Sequence, residues 1–234
     1  MPVGVVDDAD HPSAEDLKEA LARVEEVMTE AGADVETILR VDDSVAEGFV
    51  AAAAEKEATM LLVPWEGPGG QTGPAWGRAV DSIGRDSPVP TAAVRSNSDP
   101  WERIFLIAYF ADRAANNDLR LALGVLGRLA AGNELPVVIC TDDGDRVEAL
   151  AGKVEAEIRM APFHSGRIVA QIQPGDLVVV PLGVARRIET AGLARLGASI
   201  GGAAVMVVAG PGRLSFGYAA RSGLAGAIVA ISRR

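Results

Sequence analysis

The sequence repeats itself, and the repeat is uneven. Pro2-Val3-Gly4-Val5-Val6-Asp7-Asp8 is matched by Pro136-Val137-Val138-Ile139-Cys140-Thr141-Asp142-Asp143. Thr59-Met60-Leu61-Leu62-Val63-Pro64-Trp65 is matched by Asp176-Leu177-Val178-Val179-Val180-Pro181-Leu182, and Val89–Val94 by Ala203–Val208. The pairs stand in the same order in both halves, as in a unit copied in tandem and then trimmed. A strand and a helix, within Trp101–Asn133, precede the Pro-Val-Val-Ile segment of the second copy, whereas the first copy begins at that segment. The first copy therefore starts part-way through its unit.

Within each copy, apolar runs alternate with helical periodicity. Val3–Val6 reads as a strand, and Ser13 opens a helix as a capping box with Asp16. Leu17, Leu21, Val24 and Met28 recur on one face of that helix, and Gly32 closes it. Val35–Val41 is a strand, Asp43 or Ser44 caps a helix over Val45–Lys56, and Thr59–Val63 is a buried-type strand. A Gly/Pro-rich loop, Gly67–Pro74, a short helix and the strand Thr91–Val94 follow. The polar stretch Ser96–Pro100 is a linker. The pattern then restarts with the strand Ile104–Ala108, a helix over Asn117–Ala131 carrying Leu119, Leu123, Leu126 and Leu129, and the strand Val137–Thr141.

Alternating strands and helices predict an α/β fold with two tandem, doubly wound, mostly parallel sheets, the first lacking its first strand and helix. The expected organisation is a truncated domain over 1–97, a second, degenerate copy over 101–211, and a tail over 212–234 that adds a strand. The first strand of a doubly wound sheet lies in its middle, so its loss leaves unpaired backbone groups and a split core. Either an upstream stretch of polypeptide or the tail segment Ala227–Ile231 is expected to fill that place.

Composition narrows the function. The net charge of −10 makes the chain a poor ligand for polyanions, so no nucleic-acid partner is expected. Cys140 is the single cysteine, which rules out an intrachain disulfide. Met1–Asp10 lacks a signal-peptide pattern, and the apolar run Leu224–Ile231 is too short to span a bilayer, which takes about 20 residues. A cytoplasmic location is expected.

Several segments resemble a known family. Ala33–Val41, Val45-Ala46-Glu47-Gly48 and Ala58–Trp65 resemble the second half of a universal stress protein domain. So do Gly77-Arg78-Ala79-Val80-Asp81-Ser82 and Ser87–Arg95, with a Pro-X-Pro-like segment before the last strand. The same wording, with a Trp after the fourth strand and a weakened second copy, is similar to the tandem region at the cytosolic C-terminus of bacterial cation:proton antiporters. The resemblance covers 3–95 well and 101–209 loosely. It implies a fold of the adenine nucleotide alpha hydrolase-like type and a non-catalytic regulatory domain for sodium/hydrogen exchange. The implied partners are a membrane transporter domain in cis and a second copy of the chain. The alternative is an autonomous stress protein that binds ATP, AMP or another adenine nucleotide.

ATP-binding members of that family carry Gly-x2-Gly-x9-Gly-Ser/Thr after the fourth strand, where glycine lets backbone N–H groups approach phosphates. Gly67 and Gly77 match the second and third glycines, Pro64 stands at the first, and Arg78 replaces the hydroxyl residue. Proline brings neither the freedom nor the N–H, which argues against tight ATP binding. Arg78 can pair with the phosphate of another nucleotide, and a loop that only turns the chain is the competing reading. In the second copy, Asp112 lies near the place of the family's acidic residue, but Gly183, Gly192 and Gly197 lack the spacing.

No catalytic or metal-binding set stands out. Cys140 ends an apolar strand and reads as structural, and His164 as a loop residue without a partner nucleophile. Asp7, Asp8, Asp10 and His11 form an acidic loop with no glutamate at calcium-loop spacing. Trp65 and Trp76 flank the glycine loop, placed either to stack on a base or to cover the end of the sheet.

Overall fold

The computed structural model describes residues 1–6, 13–30, 32, 35–65, 78–95, 100–110, 113–152, 154–163, 165–187, 203–212 and 228–232. It resolves two compact units, Met1–Ala93 with Pro211–Arg234, and Val94–Gly210.

The first unit holds β1 (Pro2–Val6), α1 (Ser13–Glu30), β2 (Ile38–Val41), α2 (Val45–Glu55), β3 (Ala58–Pro64), α3 (Arg78–Asp86), β4 (Thr91–Arg95) and β10 (Ile228–Ser232). β1 has helices on both faces, and its composition permits this. A Cβ added at Gly4 would lie 2.8 Å from the Leu17 Cδ2 of α1, and one added at Gly48 of α2 would meet Val5 Cγ1. The two glycines thus let α1 and α2 come close to the strand. Ser44 is the cap of α2, its Oγ accepting the Glu47 N–H at 3.2 Å.

α1 departs from the expected face. Ala14, Leu17 and Leu21 are buried with Leu39 against them, but Val24 and Met28 are only half-buried, and Val27 is 63% exposed. Length accounts for this. Eighteen helical residues run about 27 Å, while the five residues of β1 span only about 17 Å. The last turns of α1 therefore overrun the strand.

The strand order in this unit is β2-β1-β10-β3-β4. β1 and β2 pair in parallel, Val3 opposite Ile38 through Val6 opposite Val41. β10 lies between β1 and β3 and is antiparallel to both, with Val229 opposite Pro2 on one side and Leu62 on the other. An antiparallel strand satisfies the facing N–H and C=O groups as fully as a parallel one. The chain re-enters this unit at Pro211, where the Gly212 N–H donates to the Ser87 carbonyl at 3.0 Å.

The second unit holds β5 (Arg103–Ala108), α4 (Arg113–Asn133), β6 (Val137–Thr141), α5 (Gly144–Ala151), β7 (Glu157–Met160), α6 (Ser165–Val169), β8 (Asp176–Pro181), α7 (Leu182–Arg187) and β9 (Ala204–Ala209). Its order is β9-β8-β5-β6-β7, every neighbouring pair parallel. β5 thus holds the central place that β10 holds in the first unit. Every residue of β6, β8 and β9 is buried, as continuous apolar strands covered on both faces require. At the amino end of the sheet, Arg103 forks onto Asp176, Nε to Oδ1 at 2.7 Å and the second nitrogen to Oδ2 at 2.6 Å.

The registers reveal a further match. Val138–Thr141 face Glu157–Met160 as Val3–Val6 face Ile38–Val41. Aligned this way, Val35-Glu36-Thr37-Ile38-Leu39-Arg40-Val41 falls on Val154-Glu155-Ala156-Glu157-Ile158-Arg159-Met160, with Val, Glu and Arg coincident. The final apolar residue is exposed in both, Val41 at 53% and Met160 at 64%.

Ending the chain after Gly212 removes β10 and exposes the facing edges of β1 and β3. The expected outcome in hydrogen–deuterium exchange is loss of protection across β1, β2 and β3, with protection of β5, β6 and β8 retained.

Candidate functional site

In an open α/β sheet, ligands settle in the crevice outside the carboxyl ends of the strands, where the strand order reverses. In the second unit that reversal lies between β5 and β8. Tyr109 follows β5, Ala161–Phe163 follow β7, Leu182 and Gly183 follow β8, and Gly210 follows β9. These residues stand at the carboxyl ends of the strands.

Tyr109 is fully buried. Its hydroxyl donates to the Ala161 carbonyl at 2.9 Å and lies 3.4 Å from Cys140 Sγ. Its ring meets Phe163 edge-on, with centroids 4.9 Å apart and planes at 75°. Burial, and then the Cys140 contact, push the phenol far above its ordinary range, so it stays a neutral donor. Burial also pushes the Cys140 thiol up, against hydrogen bonds from Tyr109 and Gln171 that pull it down. A thiol raised in this way holds little thiolate at neutral pH and makes a poor nucleophile. Beside it, Asp143 caps α5 by accepting the Arg146 N–H at 3.2 Å, and the Arg146 guanidinium lies 4.1 Å from the centre of the Phe110 ring.

Asp118, in the second turn of α4, is also fully buried. Its Oδ2 accepts the Gly183 N–H at 3.2 Å and its Oδ1 the Gly210 N–H at 3.1 Å. Leu182, Val184 and Ala185 are also buried. Tyr109 is thus tied to β6 and to the residue after β7, and Asp118 to residues after β8 and β9. A cavity of about 1060 Å³ in this unit lies at the opposite end of the strands, between α4 and α5, lined by Gly124, Gly127, Pro136, Leu150, Val154 and Glu157 among others.

In the first unit, β3 ends at Pro64, and Trp65 beyond it is buried at the end of the sheet. Gly67, Gly77 and Asp112 lie outside the described residues, as do Trp76, His164 and the Asp7–His11 cluster. Arg78 is the first residue of α3. The described residues thus bring none of the four sequence-predicted nucleotide contacts together. Among the described residues, no three His, Cys, Asp or Glu side chains are grouped to hold a metal, and no helix is long and apolar enough to cross a membrane.

Tyr109 and Asp118 escaped the sequence reading. Asp118 carried a usable signal, because it is in helical phase with Ala122 and Leu126, both buried. An acid in line with an apolar stripe is a buried acid with hydrogen-bond partners.

Tyr109→Phe removes the donor to the Ala161 carbonyl and is expected to destabilise the second unit by roughly 1–3 kcal/mol, read from urea unfolding. Cys140 is expected to resist alkylation at pH 8 in the native protein and to react fully in urea.

Residues 1–95 match the model of the universal stress protein family. No curated protein matches the chain. Among solved structures it is similar to a universal stress protein from Archaeoglobus fulgidus, with a TM-score of 0.50 and 14% identity over 85% of this chain and 77% of that one. The chain thus has an α/β fold with mostly parallel sheets, shared with a universal stress protein, and its first 95 residues carry that family's pattern.

Proposed function

We propose that the chain is a non-catalytic regulatory domain of universal-stress-protein type, lying in the cytoplasm and joined to a cation:proton antiporter whose ion exchange it biases. The observation that supports the non-catalytic part is the burial and internal hydrogen bonding of Tyr109 and Asp118 in the second unit. The Cys140 thiol is buried and raised as well. A unit of this kind supports contacts rather than turnover. The antiporter link rests on the segments around Val35–Asp42 and Val45–Gly48. In this reading the first unit takes any ligand, with Gly67, Gly77 and Arg78 as its contacts, and a second copy of the chain is the natural partner.

The family match over residues 1–95 favours one other reading, an autonomous stress protein that binds an adenine nucleotide through the first unit.

Two measurements separate the readings. A bound nucleotide raises the unfolding free energy by RT ln(1 + [L]/Kd), about 2.7 kcal/mol at a hundredfold excess over Kd. Melting curves in millimolar ATP, AMP and cyclic dinucleotides are expected to shift for a ligand-binding first unit, and Gly77→Asp should abolish that shift. The DNA upstream of the Met1 codon is expected to encode, in phase, several apolar helices of about 20 residues each. An in-phase stop codon with no such helices ends the antiporter reading and leaves the stress-protein reading standing.

A further inference from the structure

The two N–H groups held by Asp118 come from different strands. Gly183 lies two residues beyond the end of β8, and Gly210 directly follows the end of β9. β8 and β9 are parallel neighbours, with Pro181 opposite Val208, so both donors emerge side by side at the carboxyl end of the sheet. Backbone donors converging there suit a negatively charged oxygen group. The group that fills the position is a carboxylate with one oxygen on each donor, at 3.2 and 3.1 Å, buried with no solvent-exposed surface.

We propose that Asp118 is a built-in anion: its carboxylate occupies an oxyanion site of the second unit, and removing the side chain opens that site to a tetrahedral oxyanion such as phosphate or sulfate. Asp118 belongs to α4, which packs against β8, β9 and α7, so the carboxylate is delivered by the same packing that builds the core. A free anion has to give up translational and rotational freedom to sit there, whereas Asp118 arrives with the fold. Its charge also repels any phosphate brought close to the same donors. This pair of donors is therefore closed to a phosphate by the unit's own side chain, although the donors themselves would suit one.

The test uses the whole 234-residue chain. Asp118→Ala leaves the part-buried Gly183 and the buried Gly210 N–H groups without this acceptor, and its unfolding midpoint in chloride should fall below that of the wild type. Inorganic phosphate or sulfate, at matched ionic strength, should restore about 3–6 °C of the loss while leaving the wild type unmoved. Asp118→Asn keeps the shape and one acceptor oxygen, and so serves should the alanine variant not fold. In it, the amide resonances of Gly183 and Gly210 are expected to move on phosphate titration, with no such movement in the wild type. The proposal is overturned if neither variant responds to phosphate or sulfate more than the wild type does. An alanine variant as stable as the wild type in chloride alone overturns it equally.

Discussion

A sheet cannot omit its central strand. Neighbouring strands lie about 4.8 Å apart, so a single missing strand leaves two facing rows of N–H and C=O groups too distant to pair. In the first unit the whole arrangement depends on β10 bridging β1 and β3. That bridge makes a unit of two segments, Met1–Ala93 and Pro211–Arg234, that are 117 residues apart in sequence. A chain that must bring such distant segments together carries a large loop-closure cost before the central pairing forms. The second unit has no such demand, because β5 is local to β6 and pairs with it in parallel.

The second unit meets a different constraint, which is the burial of charge. Asp176 and Asp118 are both buried carboxylates, one at the amino end of β8 and the other beside the carboxyl ends of β8 and β9. Each is compensated in its own way. Asp176 takes the Arg103 fork and the Gln173 N–H at 2.8 Å, so its charge is matched by a cation. Asp118 takes backbone N–H groups, which supply partial positive charge where strands end. Removing a partner from either costs more than the pair itself contributes, because a bare buried carboxylate is the worst alternative.

Much of this architecture was legible in residue order, and the parts that were not share a cause. Runs such as Leu177–Pro181 and Ala204–Ala209 are apolar throughout, and only a strand covered on both faces takes that composition. The vacant central place followed from the offset between the copies, but the direction of β10 did not, since period-two patterning reads the same either way. The match between Val35–Val41 and Val154–Met160 stayed hidden because β2 and β7 are half-exposed, and a half-exposed strand exchanges residues freely. Val24 and Met28 of α1 misled because periodicity shows which face is apolar, not how far the sheet beneath it extends. Tyr109 and Asp118 were hidden for another reason. Their roles depend on Ala161, Gly183 and Gly210, which lie 52, 65 and 92 residues away. No local pattern encodes such pairings.

The two units thus solve one topology in opposite ways. The first lacks a local central strand and takes a remote one, while the second has its central strand and fills space near its strand ends with Tyr109 and Asp118. Filling has a thermodynamic consequence. A unit whose crevice is completed by a ligand gains stability in proportion to the logarithm of ligand concentration. With Tyr109 hydrogen-bonded to Ala161 and Asp118 to the strand-end glycines, the second unit holds comparable contacts at every concentration. Its stability is then independent of ligand, where that of a ligand-completed unit varies with concentration.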